Sequence, residues 1–200
     1  MSKSRGLTSA NESYLVLDTE TTGIPITKGF NKYYDPSDIK YYNGSRLIEL
    51  AYIIYDKDDN IIKEFSSLVK PDNFVITNSH IHGIVQEDAL TNGNLLSIVM
   101  NELYRDMDMV DTLVAHNMLF DINILLSESY RMNNLDLVNK LKSKKKSCTM
   151  LVGQRAMKLY KFPKLIELYK FLYNKPVTQI HRALSDVIIC ADCYKKIKNI

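Results

Sequence analysis

The chain has 200 residues, with 26 Lys and Arg against 23 Asp and Glu and a formal net charge of +3. That length supports one well-buried core rather than two domains, and 46% hydrophobic with 24% charged residues is the usage of an ordinary folded protein. The mild positive charge is compatible with a polyanionic partner without requiring one, and no apolar run approaches the roughly 18 residues a membrane helix needs.

Residues 1–12 are polar, lack an apolar signal core, and are expected to form a leader without fixed structure, ahead of a single domain over 13–200. Residues 14–17 are apolar and read as a buried strand, which Thr21, Thr22, Gly23 and Pro25 bring to an end. Residues 24–45 carry Pro, Gly, Asn and Asp with no sustained period and read as a long loop. Its interleaved lysines and tyrosines either contact nucleic acid or pack on the domain, and packing is the expectation.

Two strands follow, at 46–55 and 61–69, joined by the turn-rich DKDDN as an antiparallel hairpin. A short helix is expected over 78–84, ending near Gly83, and a longer one over 95–109. A buried strand at 111–117 runs into a helix at 119–132, which makes a parallel strand–helix unit. The basic run at 139–147 reads as a solvated helix end or loop, and CTMLV after it as a short strand or turn. Helices are expected at 162–173, with Pro163 in the first turn, and at 183–197. Cys148, Cys190 and Cys193 do not form a secreted disulfide framework, so reduced thiols in an intracellular, soluble protein are expected; Cys190 and Cys193 lie in an apolar helical pattern and read as core.

The chemistry concentrates in YLVLDTETTG at 14–23. Asp18 and Glu20 are two residues apart on a strand, so both point to one side at a spacing of about 6–7 Å. Two carboxylates that close, at the end of an apolar strand, repel unless a cation or a shared proton intervenes, and hard divalent ions with oxygen ligands are the usual remedy. Further acids fit the same pocket. Asp121 opens the helix after the 111–117 strand, where ligands gather in α/β sheets. His181 and Asp186 stand at the start of the last helix in HRALSD.

DTETTG at 18–23, AHNMLFD at 115–121 and HRALSD at 181–186 together resemble the three motifs of the DEDDh 3′-to-5′ exonucleases, in order and over most of the chain. That resemblance implies an α/β, RNase H-like fold with a mixed, roughly five-stranded sheet flanked by helices. It implies four acidic ligands, Asp18, Glu20, Asp121 and Asp186, holding two divalent cations, Mg²⁺ or Mn²⁺, with Asp18 between them and His181 as general base. Thr19, Thr21, Gly23, His82, Ile84 and Asn117 are the expected substrate contacts: Gly23 for close backbone approach, His82 and Ile84 against the terminal base. Asn117 is also expected to fix the loop ahead of Asp121.

The activity implied is hydrolysis from a single-stranded or frayed 3′ end, of DNA in preference to RNA, releasing nucleoside 5′-monophosphates, with a polymerase or a replication or repair assembly as the kind of partner. An exoribonuclease of the same family, or a binding module that retains the fold without catalysis, are the alternatives.

Overall fold

In the computed structural model, which describes residues 13–29, 31–179 and 181–198, the apolar run at the start of the chain becomes the central strand of a five-stranded sheet. Strand β1 (Tyr14–Thr21) pairs antiparallel with β2 (Leu47–Tyr55), and β2 pairs antiparallel with β3 (Ile61–Leu68). On its other side β1 pairs parallel with β4 (Thr112–Ala115), and β4 pairs parallel with β5 (Lys145–Cys148). The order is β3-β2-β1-β4-β5, the mixed sheet expected from the sequence. The leader expected over 1–12 lies outside the described residues.

Helices cover both faces, which is why the first half of β1 and nearly all of β2 are apolar rather than alternating. The helices in chain order are α1 (Ser79–His82), α2 (Gln86–Asn92), α3 (Leu96–Asp106), α4 (Met118–Arg131), α5 (Leu135–Ser143), α6 (Thr149–Ala156), α7 (Leu165–Tyr173) and α8 (Ala183–Ile197). On one face Leu15 and Leu17 of β1 and Leu50 and Tyr52 of β2 pack with apolar residues of α3, α4 and α5. On the other, Tyr14, Val16, Ala51 and Ile53 pack with α7 and α8. The second cluster includes Cys190 and Cys193, both buried and unpaired, as the apolar pattern predicts.

Four local expectations change. The strand near residue 148 is not CTMLV: β5 is Lys145–Cys148, and Thr149–Ala156 is helical. The lysine run therefore supplies a sheet edge, where exposed lysines discourage pairing with another chain; parallel pairing with β4 provides the hydrogen bonds that its composition does not advertise. Helix α5 is hidden in sequence by the same lysines, but Leu137, Val138 and Leu141 are buried, and the Asn134 side chain accepts the Leu137 N–H as a cap. Helix α7 begins at Leu165 rather than near 162, because the Glu167 carboxylate accepts the Lys164 N–H and sets the first turn there. The helix expected over 95–109 ends at Asp106 and tightens into a 3₁₀ turn over Met107–Met109. Helix α6 packs closely on α7: a Cβ on Gly153 would stand 2.8 Å from a Leu168 methyl.

Candidate active site

The two parallel strands β1 and β4 end on the same side of the sheet, so the residues that succeed them in the chain are brought together there. Asp18 and Glu20 share the parity of Tyr14 and Val16 and therefore face α8, where Asp186 occupies the first turn. Ligand oxygens of Asp18, Glu20 and Asp186 all lie within 4.8 Å of one another. Asp121 reaches the site from the first turn of α4; Thr19, on the opposite side of β1 from Asp18, donates its hydroxyl to Asp121 Oδ1 at 2.8 Å. Asp121 is 2% exposed and stands beside the three-carboxylate group rather than within it.

The electrostatics are those of an acid cluster short of positive charge. Burial, then the charges of Asp121, Asp186, Glu20 and Glu49, push the Asp18 carboxyl well above its usual range. Burial, then the charges of Asp186, Glu49 and Asp121, raise Glu20 to about 8, against a partial relief from Arg182. Burial raises Asp121 to about 7 in spite of the hydrogen bond from Thr19. Burial raises Asp186 too, opposed by Gln179 and His181.

Gln179 Nε2 donates to Asp186 Oδ2 at 2.6 Å, while Asp186 Oδ1 is buried with no hydrogen-bond partner. A buried carboxylate oxygen without a donor, beside two more carboxylates, fits a divalent cation of the hard, oxygen-preferring kind.

A cavity of about 610 Å³ beside these carboxylates is lined by Asp18, Asp186, His181, Gln179, His116 and Lys164 among others. His181 is exposed and held in left-handed backbone (φ 48°) two residues ahead of α8, a strained conformation for a residue with a Cβ. His116 forms part of the cavity wall: its Nε2 lies 3.0 Å from the Pro163 carbonyl oxygen and its Nδ1 3.0 Å from the Thr149 hydroxyl. Burial lowers its pKa, opposed by the hydrogen bond to the Pro163 carbonyl.

One residue that holds the site together escapes a reading of motifs. Glu49 of β2 is opposite Glu20 in the sheet and 2% exposed. Its carboxylate accepts from Arg182 Nη2 at 2.7 Å and Nε at 3.1 Å, and from the Ala183 N–H at 3.0 Å. Glu49 thus caps the N-terminus of α8 from a neighbouring strand and fixes the turn bearing His181 and Asp186. The signal was present as a lone acid inside RLIELAYIIY, since a buried charge demands a partner.

The predicted substrate contacts divide. Thr19 serves Asp121. Thr21 Oγ1 donates to the Gly23 carbonyl at 2.7 Å. A Cβ on Gly23 would stand 2.8 Å from the Gly44 carbonyl oxygen, so the glycine is required where the two ends of the 24–45 loop meet. His82 and Ile84 are both buried: the Ile84 N–H donates to His82 Nδ1 at 3.1 Å, and His82 Nε2 lies 3.0 Å from the Thr77 carbonyl oxygen. Those two residues close the turn after α1, and the Thr77 and Asn78 side chains just ahead of α1 donate to the Thr22 carbonyl at the end of β1.

Asn117 adopts left-handed backbone (φ 75°) at the cap of α4, and burial, then the charge of Asp121, raise the pKa of the nearby Tyr33 hydroxyl, opposed by Asn117. Of the loop tyrosines, Tyr34 and Tyr41 stack on each other at 3.6 Å, with Lys28 over Tyr34 and Lys40 over Tyr41, while the buried Tyr42 donates to the Tyr34 carbonyl at 2.6 Å. Those rings pack within the domain.

Sheet order, strand polarity and an acid cluster at the carboxyl end of the central strand, one that could hold a cation, define an RNase H-like α/β protein. The Exonuclease family model matches residues 15–194. The chain belongs to that exonuclease family.

A comparison with curated protein sequences returns no match. Among solved structures, E. coli Exonuclease I in complex with a dA16 oligonucleotide is similar at 18% identity and TM-score 0.68, covering 94% of this chain and 41% of that one. Its complex with a 5cy-dT13 oligonucleotide is similar at 18% identity and TM-score 0.71, over 94% and 40%. The zinc-bound form of the E. coli enzyme with single-stranded DNA gives 17% and 0.68, over 94% and 40%. The chain thus spans about two fifths of the length of these structures. Among the described residues no helix is long and apolar enough to cross a membrane.

Proposed function

We propose that this protein removes nucleoside 5′-monophosphates from the 3′ end of single-stranded DNA in a reaction that depends on divalent cations. The observation that carries the reading is the group formed by Asp18, Glu20 and Asp186, with its unpartnered Asp186 oxygen and its carboxyls raised by burial and mutual repulsion. Asp18, Glu20 and Asp186 would hold one ion, and Asp121, oriented by Thr19, would help Asp18 hold a second. Mg²⁺ or Mn²⁺ would supply the positive charge that offsets an anionic phosphodiester and its leaving 3′ oxygen.

His181 shares the cavity with Asp18 and Asp186 and takes the proton of the attacking water at a ring nitrogen, an imidazole being a base of suitable strength near neutrality. Glu49 and Arg182 keep that imidazole and Asp186 in fixed relation. DNA as the substrate is supported by the oligonucleotides bound to the similar structures. Association with a polymerase or a replication or repair assembly rests on the family resemblance alone.

The test is degradation of 5′-labelled single-stranded DNA and matched RNA in Mg²⁺ or Mn²⁺, with EDTA and Asp18→Ala as controls. Stepwise shortening of DNA from the 3′ end, lost in EDTA, is expected. Equal or faster loss of RNA would replace DNA with RNA as the substrate, because the 2′-hydroxyl is what such a site would read. No shortening of either would leave a binding module.

A further inference from the structure

Next to the cavity beside the acid cluster is a second one, about 550 Å³, and the two share the walls formed by His116 and Lys164. Its other walls include Asn31, Asn117, Tyr160, Lys161 and Phe162. The segment that supplies most of them, 155–164, reads RAMKLYKFPK: four cations, and no acid anywhere in 149–164. Of those four, only Lys161 is ion-paired among the described residues, to Glu167 at 3.0 Å. The Tyr160 ring is fully exposed. The segment is nonetheless anchored, since the Pro163 carbonyl accepts from His116, the residue between the two cavities. Asn117 Oδ1, on the same wall, is buried without a partner.

The other basic run is arranged differently. There Lys140, Lys144 and Lys146 are turned onto the backbone carbonyls of Tyr104, Val110, Lys142 and Lys144, and Lys142 onto the Tyr130 hydroxyl. Those ammonium groups serve the edge of the sheet. Of the cations of 155–164, Lys161 and Lys164 line a cavity that adjoins the one beside the acid cluster, next to an exposed aromatic ring, the combination that grips single strands: cations for phosphates, a ring face for a base.

We propose that this second cavity holds the nucleotide next to the 3′-terminal one, its base stacked on Tyr160 and its phosphate facing Lys161 and Lys164. This rests on the proposed nuclease activity and extends it: the preferred substrate is an unpaired strand of at least two nucleotides, because a paired base cannot offer its face to Tyr160 without leaving its stack.

The experiment compares two substrates in Mg²⁺: a single-stranded oligothymidylate, and the methyl ester of thymidine 5′-phosphate, which carries one nucleotide and whose leaving group, methanol, has no ring to place in the second cavity. For Tyr160→Ala the ratio of oligonucleotide KM to ester KM is expected to rise about 5- to 50-fold, the range of losing one base stack. Tyr160→Trp, which keeps a ring, is expected to restore the wild-type ratio. An unchanged ratio in Tyr160→Ala, or a change that Trp does not repair, would overturn the assignment. If the wild-type protein cleaves neither substrate, the nuclease reading fails, and fluorescence anisotropy with labelled oligothymidylate in EDTA decides the second cavity alone. Equal affinity of wild type and Tyr160→Ala there would overturn it, and weaker binding by the variant would uphold it.

Discussion

Replacing Glu20 by Gln is expected to stabilise the metal-free protein at pH 8 and to leave it unchanged near pH 4.5. The Glu20 carboxyl titrates at about 8 in the folded chain, against 4.5 as its ordinary value. Between those two values the folded state holds a proton that the unfolded state has released, so folding stability falls as pH rises through the window. At about 1.4 kcal/mol per pH unit, the interval sets a ceiling of about 5 kcal/mol. Glu20 is only partly buried, water screens it, and its neighbours share the relief, so we take about 1–2 kcal/mol.

For a domain of this size each kcal/mol moves the melting temperature about 2–4 °C, which makes the expected gain about 2–8 °C at pH 8. Thermal denaturation of wild type and Glu20→Gln in EDTA at both pH values measures it. Adding Mg²⁺ at pH 8 should raise the wild-type melting temperature more than that of the variant, since the variant has lost a ligand and has less repulsion to relieve. A variant that melts below wild type at pH 8 in EDTA, or a gap equal at both pH values, would refute the view that Glu20 is held against its own charge.

His181→Ala is expected to lower kcat by about 10²- to 10⁴-fold, the usual worth of a positioned base, while oligonucleotide binding in EDTA changes little; near-normal turnover would remove His181 from the chemistry. Glu49→Ala uncaps α8 and frees Arg182, itself 43% exposed, with an expected loss of about 1–2 kcal/mol in urea denaturation and a Mg²⁺ requirement shifted to higher concentration. Stability lost without that shift would make Glu49 structural only. Gly23→Ala forces a Cβ to within 2.8 Å of the Gly44 carbonyl oxygen and is expected to cost about 1–3 kcal/mol by the same denaturation; no change would mean that the loop ends separate freely.

Strand and helix periods, the parallel unit around 111–132 and the acids of the three motifs were legible because each depends on neighbours in sequence. An apolar run followed by two carboxylates two residues apart says by itself that a strand ends in a charge conflict, and the first turns of α4 and α8 show their acids as local capping patterns do. Composition hid what pairing creates. A lysine-rich tetrapeptide is a poor strand on propensity, and β5 exists because β4 offers it a parallel partner; α5 and α6 depend on faces that only the sheet and α7 bury.

The sequence alone therefore determined which residues could bind a cation: Asp18, Glu20, Asp121, Asp186, with His181 nearby. Only the tertiary structure decided how they divide, with Asp18, Glu20 and Asp186 in one group and Asp121 held beside it by Thr19. It also chose Glu49 and Arg182 as the pair that fixes α8. The reason is reach: a carboxylate's local spacing is written in the chain, but its partners 102 and 133 residues away are chosen by where the two faces of the sheet close.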